Sequence, residues 1–282
     1  MPAQPDYDKL LVPIDDVTTS IEALLSGAFG QLMGDQREGL KRIYAMAWGL
    51  HTLLMDIVTN IDIDSIAYRA YLSNKFDEHI NPLIATAQSL LNGVDGPLTD
   101  EQIVSVDFIR VTGELLRHYV DNLWLYSQLK HGLWELKRTP ATVDELFQPM
   151  TWGVSENPVA LEVFVPEEDI PPITVDARLI RTSIAQIVDN AVNNTQQGTI
   201  KVSLSDTPDE LVVIVRDTGC GINEKHQQQI FEPFFQVDKE KLGLGLGLTI
   251  TQQALQLHNG TITLKTTQPH GTEARLCLPR NS

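Results

Sequence analysis

Slid along itself by 66 positions, the first half of the chain meets itself again. The stretch LLSGAFGQLMGDQ at residues 24–36 lies over LLNGVDGPLTDEQ at residues 90–102. Leu24/Leu90, Leu25/Leu91, Gly27/Gly93, Gly30/Gly96, Leu32/Leu98 and Gln36/Gln102 are identical, and Ile43/Ile109 and Leu50/Leu116 continue the match. A repeat of this length is one supersecondary unit used twice, and a unit that small leaves an apolar face which only a neighbour can cover.

Each copy has an apolar-periodic segment, a Gly-containing connection, and a second periodic segment opened by polar residues such as Thr99 and Asp100. In the first copy Leu40, Ile43, Ala47, Leu50, Leu54, Ile57 and Ile61 step by three and four residues, the seam of a helix packed nearly parallel to its neighbours. In the second copy Val106, Ile109, Gly113, Leu116, Val120 and Leu123 keep the same register. Each copy is therefore expected to be a helical hairpin, and two hairpins make a four-helix bundle. A connection of roughly ten residues, IDSIAYRAYL at 63–72 and its surroundings, is expected to let the copies dock within one chain at high effective concentration. The expectation is a monomeric pseudo-dimer. The competing arrangement is a homodimer in which each hairpin pairs with its counterpart.

Beyond residue 138 the pattern changes to mixed strand and helix. ALEVFV, TIKVSL, ELVVIV, GTITLKT and EARLCLP read as strands, and residues 176–195 as a helix, which predicts a layer of helices on a mixed sheet. Four local sequences follow in order: DNAVNNT, DTGCGI, IFEPFF and GLGLGLTI. The glycines of DTGCGI let the backbone bend and approach a ligand, and Asp217 offers a fixed acceptor for an exocyclic amine. GLGLGL at a helix start presents bare amides to phosphate. Asn190 supplies an amide oxygen of the kind that completes a magnesium shell with phosphate oxygens.

With these residues in this order the chain resembles the sensor histidine kinases, and more broadly the GHKL ATPase superfamily that they share with gyrase, Hsp90 and MutL. DNAVNNT looks like the N box, DTGCGI the G1 box, IFEPFF the F box, GLGLGLTI the G2 box and HGTEARLCLP the closing segment. The resemblance implies an α/β-sandwich domain binding ATP or ADP with Mg. In it Asp217 reads the adenine amine, Asn190 helps hold the metal, Asn193 belongs to the nucleotide-binding set, Gly219, Gly221, Gly243, Gly245 and Gly247 shape the pocket and its lid, and Thr272 is the small hydroxyl residue of the last box. Three positions depart from the family pattern. Gln186 stands where the N box begins with Asn, Asn193 where a basic residue often touches phosphate, and Leu244 where the G2 box has Thr. The segment 237–242 is short for an ATP lid.

The fold class expected is thus α plus α/β. Residues 1–66 form a degenerate phosphoacceptor-like hairpin, 67–137 a second such hairpin, and 138–282 the histidine-kinase-like ATP-binding domain. The family motif His-Glu-x-x-Thr/Asn-Pro-Leu fits the second copy as Asp77, Glu78, His79, Ile80, Asn81, Pro82 and Leu83, with Asp77 at the phosphoacceptor position. In the first copy that position is Leu11. His79 is turned about 200° from Asp77 along a helix, faces away from the patch of Asp77, Glu78 and Asn81, and is expected to be structural or exposed. Glu78 and Asn81, three apart on one face, match the family motif for dephosphorylating a partner response regulator. The expected function is an ATP-binding, histidine-kinase-like two-component signalling protein, a pseudokinase in effect, acting on a response regulator or kinase partner. The alternatives are an active histidine kinase, a phosphatase using Glu78 and Asn81, and a structural adaptor with a vestigial nucleotide site.

A formal net charge of −16 argues against nucleic-acid or anionic-membrane partners, which would repel the chain. The short basic runs RLIRTS, with Arg178 and Arg181, and DKEKL, with Lys239 and Lys241, read as solvated faces. Cys220 and Cys277 are too few for a disulfide framework and read as packing residues. No window approaches the roughly 18 apolar residues of a membrane span, and the start lacks a signal-peptide pattern, so a cytoplasmic location is the expectation.

Overall fold

A computed structural model describes residues 8–59, 66–147, 159–164, 170–239, 241, 243–266 and 271–280. The chain divides into two compact units, one before and one after the boundary between Ser127 and Gln128.

The first unit is four helices: α1 (Asp8–Ser26), α2 (Gly34–Thr59), α3 (Ile66–Leu91) and α4 (Asp100–Lys130). Their three-and-four spacing delivers one continuous apolar interior. Leu10, Ile14, Val17, Ile21 and Leu24 of α1 are buried, as are Leu40, Ile43, Ala47, Leu50, Leu54 and Ile57 of α2. Leu72, Phe76, Ile80, Leu83, Ala87 and Leu90 come from α3, and Val106, Ile109, Leu116 and Val120 from α4. Each Leu or Ile so buried contributes about 1.5–3 kcal/mol, which is why the spacing dominates the fold of this unit. Leu123 is only half-buried, and Ile61 lies outside the described residues.

The turns explain the repeated glycines and glutamines. Gly27 and Gly30 adopt φ of 83° and 101°, and their counterparts Gly93 and Gly96 adopt 71° and 96°, conformations that cost a residue with a Cβ. Gln36 accepts from the Met33 amide (2.9 Å) and Gln102 from the Thr99 amide (3.0 Å), the reciprocal bond of a capping box at the starts of α2 and α4. Gln36 Nε2 then crosses to the other hairpin, donating to the carbonyls of Gly96 (3.2 Å) and Pro97 (2.9 Å). Thr99 Oγ1 crosses the opposite way to the Phe29 carbonyl at 3.3 Å. The connection differs from the expected ten-residue linker, because α3 already begins at Ile66 and residues 66–72 are helical. Residues 63–65 of that stretch lie outside the described residues.

The second unit begins with β1 (Thr139–Ala141), the short helix α5 (Val143–Leu146), β2 (Val159–Phe164), β3 (Ile173–Val175) and α6 (Ala177–Asn194). It continues with β4 (Gly198–Asp206), β5 (Glu210–Asp217), α7 (Gly247–Leu257), β6 (Thr261–Thr266) and β7 (Thr272–Pro279). The main sheet runs β2-β4-β5-β7-β6, with β2 parallel to β4 and every other pair antiparallel, while β1 pairs with β3 apart from it. Ile180, Ile184, Ile187 and Val188 of α6 and Leu255 of α7 share one core with Ile200, Val202, Val213, Val215 and Leu276 of the sheet. The result is the expected layer of helices on a mixed sheet.

At the start of α6, Asp176 Oδ1 accepts from the Leu179 amide as N-cap, while Oδ2 accepts from Trp134 Nε1 (3.0 Å) and the Lys137 amide (3.1 Å). The Asp176 amide donates to His258 Nε2 at 2.9 Å. Arg178 lies over the Trp134 ring, 5.3 Å from its centroid, so this arginine is not simply solvated. Among the described residues no helix is long and apolar enough to cross a membrane.

Candidate functional site

The end of α6, the end of β5, the loop before α7 and the start of β7 meet in the second unit. Asp217 closes β5, and its Oδ1 accepts from the amides of Gly219 (2.8 Å) and Thr272 (3.1 Å). Two amides on one oxygen fix the carboxylate. Burial pushes its pKa above the ordinary range, and the Gly219 amide, the Thr272 amide and the Thr272 hydroxyl pull it back.

The glycines here answer to protein as much as to any ligand. A Cβ on Gly219 would run into the Asn194 carbonyl, the same oxygen that accepts from the Cys220 amide at 3.3 Å. Gly245 sits at φ 68°, where a Cβ would lie 2.6 Å from the Phe235 carbonyl, and its own carbonyl accepts from the Phe234 amide at 3.0 Å. A Cβ on Gly247 would lie 2.5 Å from Gln186 Oε1. Gln186, at the departed N-box position, is thus buried against the start of α7. Gly221 and Gly243 also have positive φ, 72° and 121°, and Gln236 Nε2 donates to the Gly243 carbonyl at 3.1 Å.

Asn190 is half-buried and Asn193 exposed near the end of α6. Asn194 Nδ2 takes the Asn190 backbone carbonyl at 2.7 Å. Lys241 was expected on a solvated face, but its Nζ donates to Asn194 Oδ1 at 2.9 Å and to the Asn193 carbonyl at 3.3 Å. The basic run gave no sign of this, because the contact joins positions 47 and 48 residues apart. Cys220 is exposed rather than packed, with its backbone amide held by the Asn194 carbonyl at 3.3 Å. Cys277 is half-buried and its thiol is pushed up by burial.

In the first unit Asp77, Glu78 and Asn81 are all exposed on α3. Lys75 Nζ lies 2.6 Å from Glu78 Oε2. His79 is half-buried with its ring against Gly49, whose added Cβ would lie 2.7–2.9 Å from three ring atoms. That contact explains why the helical face turns the imidazole inward. Leu11 is half-buried on α1.

Residues 175–282 match the family described as histidine kinase-, DNA gyrase B-, and HSP90-like ATPase. The second unit carries an ATPase-type domain of that class. The circadian input-output histidine kinase CikA of Synechococcus elongatus is 26% identical over 225 residues, 76% of this chain and 30% of its own. The adaptive-response sensory kinase SasA of Gloeothece citriformis is 36% identical over 139 residues, 48% of this chain and 35% of its own. The crystal structure of full-length ShkA in complex with AMPPNP gives a TM-score of 0.60 at 25% identity, covering 76% of this chain and 45% of that one. The chain is thus similar to sensor histidine kinases over three quarters of its length, while it spans only 30% and 35% of the two curated relatives.

Proposed function

We propose that the chain is an ATP-binding, histidine-kinase-like two-component signalling protein whose phosphoacceptor position is held by Asp77, and that it acts on a response regulator or a kinase partner. The observation that carries nucleotide binding is the Asp217 carboxylate, fixed by the amides of Gly219 and Thr272 and aimed by the end of β5. A half-buried, anchored carboxylate is suited to accept from the exocyclic amine of adenine. The AMPPNP complex of ShkA supports the same reading.

Magnesium fits the donor set. Asn190 offers a neutral, hard amide oxygen, and a magnesium site completed by phosphate oxygens needs few protein ligands. Bound there, the ion would neutralise phosphate charge. Asn190 orients it, Asp217 and Thr272 fix the base, and Gly219, Gly221, Gly243, Gly245 and Gly247 keep the surrounding loops close.

In the first unit the exposed Asp77 replaces imidazole with a carboxylate, a poorer nucleophile that would give a labile acyl phosphate. Autophosphorylation on histidine is therefore lost and the chain is a pseudokinase. A second reading, dephosphorylation of a response regulator, is favoured by the shared exposure of Glu78 and Asn81, three residues apart on α3. The repeated hairpins, linked by Gln36 and Thr99, support an intrachain pseudo-dimer.

Incubation with γ-labelled ATP tests the reading. Wild type should form no acid-labile, base-stable label, and Asp77→His should gain some. A phosphohistidine at His79 in wild type would overturn it. Loss of label from a phosphorylated regulator, abolished by Asn81→Ala, would establish the second reading.

A further inference from the structure

We propose that Thr266, the last residue of β6, is a positioning residue of the nucleotide site, whose hydroxyl holds the loop after β5 so that Asp217 faces the adenine amine; this rests on the reading that the second unit binds ATP or ADP. The hydroxyl is used in both directions on one residue. Thr266 Oγ1 accepts from the Ile222 amide at 3.2 Å and donates to the Ile222 carbonyl at 2.8 Å, across 44 residues of sequence. A hydroxyl carries donor and acceptor on one atom, which a methyl group of similar size does not.

Residue 266 stands behind both donors that fix Asp217. In the β6–β7 ladder Thr266 lies opposite Thr272, whose amide gives Asp217 Oδ1 its 3.1 Å bond. The other donor, the Gly219 amide, belongs to the loop that runs on to Ile222. That loop is fastened at Cys220 by the Asn194 carbonyl and at Ile222 by Thr266. Between the two, Gly221 turns at φ 72°, where an added Cβ would lie 2.9 Å from Thr266 Cγ2 and 3.1 Å from the Gly271 carbonyl. Without the hydroxyl, the half-buried Ile222 amide and carbonyl lose these bonds, and the loop shifts to bring them to water. The Gly219 amide moves with it, and a carboxylate held by one amide instead of two turns more freely about its own Cβ–Cγ bond.

Calorimetric titration of the full chain with adenosine and with ADP, each in the presence of magnesium, tests this. Thr266→Ala, which removes the hydroxyl without adding bulk, should weaken both ligands by the same factor, about tenfold, because the base is common to them. Thr266→Ser keeps the hydroxyl and should stay within about threefold of wild type. Thr266→Val, which keeps a β-branched side chain at the strand end, should lose as much as the alanine variant and serves if that variant does not fold. A threonine that acted only through its methyl against Gly221 would give another pattern, with Thr266→Ser falling as far as Thr266→Ala. Hydrogen exchange of the Gly219 amide in the unliganded protein is a second readout, which should quicken in Thr266→Ala and keep its wild-type rate in Thr266→Ser. Wild-type affinity without the hydroxyl overturns the assignment, as does an equal loss in the serine and alanine variants, a loss confined to ADP, or an unchanged Gly219 rate in Thr266→Ala. Wild type that binds neither ligand overturns the nucleotide reading itself, and the assignment with it.

Discussion

Asp217 is held by two demands that oppose each other. Recognition of an amine calls for a charged acceptor, whereas its burial disfavours the charge and raises its pKa. Two consequences follow at this residue. Asp217→Asn should weaken ADP binding by roughly 1.5–3 kcal/mol, the range of a charge-assisted bond, without lowering the melting temperature of the unliganded protein, since it removes a desolvated charge. The pH dependence has a fixed sign. With its pKa raised, Asp217 takes up a proton at a higher pH than an ordinary carboxylate, so ADP affinity is full near neutrality and falls as acidification passes through that raised value. Calorimetry of both proteins from pH 7 downward measures this. A wild-type affinity that holds level down to the ordinary carboxylate range would contradict the assignment.

At the scale of elements, α6 is the beam on which the second unit is built, and its N-terminus is tied by Asp176 to Trp134, Lys137 and His258. His258 Nε2 accepts from the Asp176 amide and Nδ1 faces the Ala254 carbonyl at 2.7 Å, which requires a neutral ring protonated on Nδ1. Burial holds its pKa below 6.5, with Arg138 adding to the shift and Asp176 opposing it. The unfolded chain therefore takes up this proton first. The histidine contributes stability that is full above about pH 6.5, declines as pH falls below it, and levels off past the folded value. Thermal melts between pH 7 and pH 5 should show that decline, and His258→Gln should flatten it. The helices and long strands were legible because their apolar periods run over many residues. The pairs β1 and β3 and the short helix α5 were not, since three or four residues carry no period, and the start of α3 was mistaken for linker. The candidate site was legible as motifs, because glycines and Asp217 cluster within a few positions. The Lys241 contact and the Asp176 network were not, since each joins residues some 40 to 80 apart in sequence.

For the whole molecule the expected mass in solution at micromolar concentration is near 31.4 kDa by light scattering, and a stable value twice that would exclude the intrachain pairing. Scanning calorimetry of the full chain should resolve two transitions, of which ADP raises only one, because a ligand stabilises the unit that binds it. A single transition raised as a whole would mean that the two units unfold together. The crossing of Gln36 and Thr99 between hairpins has one more consequence. A pair of identical chains must show the same residues on both flanks, but a bundle closed by a single chain is free of that symmetry. Tyr44 and Trp48 stand edge to face on α2, while the positions 66 further along carry Arg110 and Glu114, paired at 3.0 Å. One flank is aromatic and its twin is ionic, so this bundle can tell its left hand from its right, and a visitor that suits one side has no second berth.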